Sequence, residues 1–124
     1  MSGRPSRGER GGRAWREGHR AEWLAALWLM LKGYRILGFR LKNRAGEIDI
    51  LARRGRVLAV VEVKRRATLG AALSALTPRQ TARLVAAAQQ VAHGRKALQS
   101  LDIRLDIVAL APGRFPRHRR GVGS

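Results

Sequence analysis

An α/β domain around a small mixed sheet is the fold class this sequence predicts, and three observations carry it. Two neighbouring stretches alternate apolar and polar residues with the period of a strand. Helical stretches lie on both sides of them, and a further apolar strand follows, giving the order helix, three strands, helix, strand. At 124 residues and 45% hydrophobic content, the chain can fill one core and leaves no room for a second domain.

The elements follow in order. Residues 1–13, rich in Gly, Arg, Ser and Pro, read as a disordered basic arm. A helix fits Ala14 to Lys32, with Gly33 as the residue that ends it. Its apolar run from Trp23 to Leu31 covers every side, so heavy burial is expected. That run is far short of the ~20 residues of a spanning helix. Lys32-Gly33-Tyr34-Arg35 also stands where a small-residue cleavage site would be, so a cytoplasmic protein without a membrane partner is expected. Strands are expected over Tyr34–Arg40, Glu47–Arg53 and Arg56–Lys64, the last two joined by a turn at Arg54-Gly55. Thr77-Pro78 supplies an N-cap and a first-turn proline for a helix to His93 or Gly94. A last strand, Arg104 to Leu110, stops before Pro112-Gly113. The folded domain is thus placed at 14–112, and 113–124 reads as a basic C-terminal tail.

Charge narrows the partners. There are 26 Lys+Arg against 8 Asp+Glu, a formal net charge of +18. Such a surplus repels itself unless a polyanion compensates it, and nucleic acid, with DNA foremost, is the partner expected. An anionic membrane surface and plain solubility are the competing readings, and an Arg-rich composition also follows from a GC-rich genome. The absence of cysteine excludes disulfides, thiolate zinc sites and a cysteine nucleophile. Three histidines make an all-histidine metal site improbable, and His118 reads as a solvated tail residue.

The hairpin concentrates the acids. A two-residue turn at Arg54-Gly55 makes partner numbers sum to 109, so Asp49 faces Val60 and Glu47 faces Glu62. Glu47, Asp49, Glu62 and Lys64 then share one face, with Asp49 and Glu62 as diagonal neighbours within ~7–8 Å. A one-residue slip would send Asp49 to the face of Ile48, Ile50 and Val61. Oxygen-only ligands without Cys or His suit Mg²⁺ or Mn²⁺, which could polarise a phosphodiester and activate water while Lys64 stabilises developing charge. The competing reading is an exposed hairpin laced with ion pairs worth ~0–1 kcal/mol each.

Gly46-Glu47-Ile48-Asp49 followed by Val60-Val61-Glu62-Val63-Lys64 resembles the PD-(D/E)XK nuclease signature. More narrowly, the chain resembles the YraN family, small proteins related to archaeal Holliday-junction resolvases. The further matching pieces are Gly18-His19-Arg20-Ala21-Glu22, Lys32-Gly33-Tyr34-Arg35-Ile36-Leu37, Thr77-Pro78 and Arg104-Leu105-Asp106-Ile107-Val108, in family order over about residues 16–112. The resemblance implies a restriction-endonuclease-like core, αβββαβ. It implies Asp49, Glu62 and the backbone carbonyl of Val63 as metal ligands, and Lys64 as the water-activating or charge-stabilising lysine. Glu22 matches a helical glutamate that serves as an outer metal contact; an acid favoured by the helix dipole is the alternative. Gln80 stands where the family usually has a lysine; some nucleases of the superfamily place a glutamine there, so the resemblance implies Gln80 as a candidate catalytic residue.

A metal-dependent endonuclease acting on branched or structured DNA is therefore expected. Arg16, Arg20, Arg65, Arg66, Arg79 and Arg83 would hold phosphates. The alternative is a non-catalytic nucleic-acid-binding or assembly protein that keeps the endonuclease-like fold. Related resolvases are dimers, which makes a homodimer an expectation too. Asp102 and Asp106 are assigned to pairing with Arg104 or its neighbours, His93 to a helix end, and Trp23, Trp28 and Tyr34 to the core.

Overall fold

The computed structural model describes the backbone of residues 7–123 and the side chains from His19 onward. Helix α1 (Arg7–Leu31) leads into three antiparallel strands, β1 (Arg35–Lys42), β2 (Glu47–Arg54) and β3 (Val57–Arg65). A short helix α2 (Leu69–Leu73), helix α3 (Pro78–His93) and a 3₁₀ turn at Lys96–Leu98 follow. Strand β4 (Asp102–Leu110) then returns parallel to β3, and β5 (Arg117–Arg119) pairs antiparallel with β4. The strands lie side by side in the order β1-β2-β3-β4-β5, a mixed five-stranded sheet flanked by helices, consistent with an endonuclease-like core. No helix among the described residues is long and apolar enough to cross a membrane.

Alternation along the strands divides the core. Ile50, Ala52, Ala59, Val61 and Val108 meet Ala25, Ala26 and Leu29 of α1. On the opposite face, Leu51, Leu58, Val60 and Leu105 meet Leu84, Ala87 and Ala88 of α3. Helix α3 starts where its sequence dictates: Thr77 Oγ1 accepts from Gln80 N, and Gln80 Oε1 accepts from Thr77 N, a reciprocal cap. Thr68 caps α2 in one direction only, its Oγ1 accepting from Ala71 N.

The structure departs from the sequence expectations in four respects. First, the β2–β3 turn is Gly55-Arg56, so partner numbers sum to 111 and Arg54 pairs with Val57. Gly55 has a φ of 60°, the conformation a hairpin needs at the first loop position, and this moves the turn one residue along. The shift of two in the sum preserves the faces and changes the opposing partners. Second, α1 starts at Arg7 rather than Ala14; residues 1–6 of the expected arm lie outside the described residues.

Third, α1 is buried on one side only. Ala25, Ala26 and Leu29 are inaccessible, whereas Trp23 is 60% exposed and Leu31 75%, with Leu24, Leu27 and Met30 also exposed. The helix has a sheet on one side and no second layer on the other. Trp23 packs beside Phe39 and Trp28 beside Phe115, while only Tyr34 of the three expected core aromatics is buried. Fourth, the expected tail is folded: β5 pairs Ile107 with Arg119, Val108 with His118 and Ala109 with Arg117. Val122 N then donates to Leu105 O at 2.7 Å.

Candidate functional site

The acidic hairpin residues gather where β2 leaves β3. Their ladder is regular from Arg54↔Val57 to Ile50↔Val61. One step further Asp49 would stand opposite Glu62, a direct rather than a diagonal partner. There the sheet is interrupted. Arg40, which would oppose Asp49 on β1, adopts a left-handed φ of 50°, and the paired positions on either side are Phe39↔Ile50 and Leu41↔Ile48. Such a backbone costs about 1–3 kcal/mol in a non-glycine residue. It reverses the alternation: Ile50 joins the α1 core and Ile48 the α3 core, although both were expected on one face. Asp49 sits at the break, and its Oδ2 accepts a hydrogen bond from Val63 N at 2.9 Å.

Glu62 is the centre of the site. Its side chain is 13% exposed, and Lys64 Nζ lies 3.7 Å from Oε1. Oε2 is buried and has no hydrogen-bond partner among the described residues. Burial first, then the neighbouring Asp49 carboxylate, push the Glu62 carboxyl up to about 8, against the pull of Lys64. The group is therefore held as an acid near neutral pH, and a further cation beside it would favour its ionised form. Glu62, Lys64 and Glu47 line a cleft of about 180 Å³, closed on the far side by Gln80, Arg83 and Leu84 of α3.

The other expected residues divide into three groups. Gln80 reaches the cleft, but its side-chain oxygen is committed to the helix cap, leaving its amide NH₂ free to turn inward. Glu22 is buried on α1 and held by Arg40, whose Nε donates to its two oxygens at 2.9 and 3.1 Å. No set of three or more acids and histidines suited to a metal ion exists among the described residues. Of the arginines, Arg83 lines the cleft, Arg79 is exposed on α3, and Arg66 donates to the carbonyl of Arg65. Arg20 and Arg65 line a different hollow, with Arg114. The side chain of Arg16 lies outside the described residues.

These positions suit a divalent cation in one respect. A buried carboxylate oxygen without a donor, beside a second carboxylate, is a ligand pair of the hard, oxygen-only kind. Asp49, Glu62 and the Val63 carbonyl are the groups that could hold it.

Comparison with known proteins bears on the whole of this region. The model of the Uncharacterised protein family UPF0102 matches residues 21–110, which include both acids, Lys64 and α3. The chain belongs to the UPF0102 (YraN) family. A UPF0102 protein of Caulobacter vibrioides (strain NA1000 / CB15N) is 59% identical over 112 residues, 90% of each chain. One from Caulobacter sp. (strain K31) is 60% identical over 109 residues, covering 88% of this chain and 78% of its own. Another, from Mesorhizobium japonicum, is 46% identical over 123 residues, 95% of this chain and 93% of its own.

Sequence reasoning missed a second buried polar centre on the α1 face of the sheet. Asp106 is inaccessible and carries four donors. Arg104 grips both its oxygens at 2.8 Å, His118 Nε2 donates at 2.8 Å, and Gly121 N donates at 3.1 Å. Arg104 also reaches the Tyr34 hydroxyl. Lys32 Nζ donates to the other ring nitrogen of His118 at 2.6 Å, which together with Asp106 fixes the imidazole as the Nε2–H tautomer. His118 is therefore not a solvated tail residue: its side chain is 1% exposed. The Asp106–Arg104 pairing read from the sequence holds; His118 was hidden because an Arg-rich segment carries no apolar periodicity.

Proposed function

We propose that this UPF0102 protein is a metal-dependent endonuclease that hydrolyses phosphodiester bonds of branched or structured DNA at the cleft between β3 and α3. The observation that carries the reading is the Glu62 carboxylate oxygen, buried without a donor beside Asp49. A structural acid would have been supplied with hydrogen bonds, as Asp106 is. Asp49 and Glu62, with the Val63 carbonyl, would hold Mg²⁺ or Mn²⁺, which when bound supplies Lewis-acid polarisation and a more acidic water. Asp49 is oriented by the Val63 N–H, so its second oxygen remains available. Lys64 lines the same cleft with its Nζ 3.7 Å from Glu62, where its ammonium can meet a phosphate oxygen as charge develops. Arg83, at the opposite wall, can hold a neighbouring phosphate, and the net charge of +18 draws the polyanion in.

A second reading has its own observation. The Glu22 carboxylate, the expected outer metal contact, is taken up by Arg40. A nucleic-acid-binding or assembly protein that keeps the fold would use the arginines and leave the acids idle. Cleavage of labelled branched, duplex and single-stranded DNA with Mg²⁺ or Mn²⁺ separates the two. Under the nuclease reading, Glu62→Ala and EDTA each lower cutting by at least about 10²-fold while binding stays near wild type. Tight, salt-sensitive binding without cutting under either metal overturns catalysis in favour of the second reading.

A further inference from the structure

The hollow lined by Arg20, Arg65 and Arg114 is separate from the acidic cleft and is not accounted for by it. Its volume is about 370 Å³, its wall includes Leu24, Leu110 and Pro112, and no acidic residue lines it. Each arginine comes from a different element. Arg20 projects from α1 and Arg65 from the end of β3, while Arg114 follows a turn fixed by Pro112, Gly113 with φ 70°, and a bond from Arg114 N to Ala111 O. None of the three guanidinium groups has a carboxylate partner among the described residues. Three guanidinium forks without carboxylate partners line one concavity, and an anion lodged among them would relieve their mutual repulsion. Phosphate is the anion whose oxygens match such forks.

The hollow stands in a definite relation to the cleft. Lys64 and Arg65 are consecutive on β3, so their side chains leave opposite faces of the sheet. Lys64 lines the acidic cleft and Arg65 lines the hollow. Arg65 also pairs with Leu110 across the parallel ladder, which puts both openings at the same end of β3.

We infer that the Arg20–Arg65–Arg114 hollow holds a backbone phosphate of the nucleic-acid strand whose scissile bond lies at the acidic cleft, the strand turning over the end of β3 between them. This rests on the nucleic-acid reading and adds to it a substrate requirement. Turning a duplex over one strand end would take a sharp kink costing on the order of several kcal/mol, whereas a single strand makes the turn freely. The arm that passes the cleft and enters the hollow is therefore single-stranded, as at a flap, a fork or an opened junction.

The test uses the full chain and labelled oligonucleotides of equal length, a single strand and a continuous duplex, with binding measured from 50 to 200 mM salt. Arg65→Gln and Arg114→Gln are compared with Arg56→Gln, an exposed arginine at the other end of β3 that removes the same charge. The pocket variants are expected to lose about tenfold in single-strand affinity, with a salt slope shallower by about 0.7, and Arg56→Gln less than about twofold. On duplex, all three variants are expected to fall alike. Equal losses for pocket and control variants on the single strand overturn the hollow while leaving the nucleic-acid reading intact. Equal pocket-variant losses on single strand and duplex overturn the turn over β3. Failure of the wild-type chain to bind either oligonucleotide overturns the nucleic-acid reading and the hollow with it.

Discussion

Two buried carboxylate centres lie on opposite faces of the same pair of strands, and they are built on opposite principles. Asp106 is surrounded by donors: a two-pronged arginine, an imidazole and a backbone N–H. Burial alone would raise its pKa, but these hydrogen bonds outweigh it and hold the carboxyl below the usual aspartate range. Glu62 has one loose ion pair, an acidic neighbour and a naked oxygen, and its pKa rises to about 8. The first centre spends its charge on holding the chain together, as when it binds the C-terminal segment through His118 and Gly121. The second is left without donors and holds a proton in place of a charge. The contrast teaches that burial by itself does not set the state of a carboxyl; the donors around it do.

The contrast is broken most forcefully at Asp106. Asp106→Asn leaves Arg104 without its counter-charge, and a loss of about 3 kcal/mol is expected in urea unfolding of the full chain. Because the native pKa is lowered, this contribution is present above the ordinary value of 3.8 and is lost as pH falls through and below it. His118→Ala comes next, removing hydrogen bonds to Asp106 and Lys32 from a buried position. A loss of about 2 kcal/mol is expected, with β5 amides exchanging faster in hydrogen-exchange measurements.

The smallest effect has the opposite sign. In the metal-free protein, Glu62 keeps a proton that the unfolded chain releases above its ordinary value of 4.5, so stability falls as pH rises from there to about 8. Glu62→Gln removes that penalty. It should stabilise by about 1 kcal/mol at pH 8.5 and change nothing at pH 4, read from urea midpoints at the two pH values. Destabilisation at pH 8.5 would mean that Glu62 is a structural acid like Asp106.

Most of the architecture was legible because it is written in short periods. The alternation of β2 and β3, the Thr77-Pro78 start of α3 and the apolar run of β4 each depend on a few consecutive residues. The turn was misplaced because Arg54-Gly55 and Gly55-Arg56 both contain the glycine, and only its positive φ at the first loop position decides between them. Parity survived the error on β3, so Glu62 and Lys64 were still brought to one cleft; Glu47 lines it too, beyond the break in β2 at which Asp49 sits. What could not be read was set by contacts distant in sequence. Arg40 lies 18 residues from the Glu22 it binds, and His118 lies 86 from Lys32. Nor does any local pattern announce a left-handed arginine inside a strand, or say which side of an all-apolar helix will lack a neighbour.

That left-handed arginine has a consequence for how the molecule comes apart. By reversing the alternation at one step, it threads the β1–β2 hairpin through both layers, giving Phe39 and Ile50 to one and Leu41 and Ile48 to the other. Neither helix then owns a private half of the sheet. Peeling α1 away disturbs the strand that also anchors α3, so the two layers are mechanically one unit and should melt in a single cooperative step.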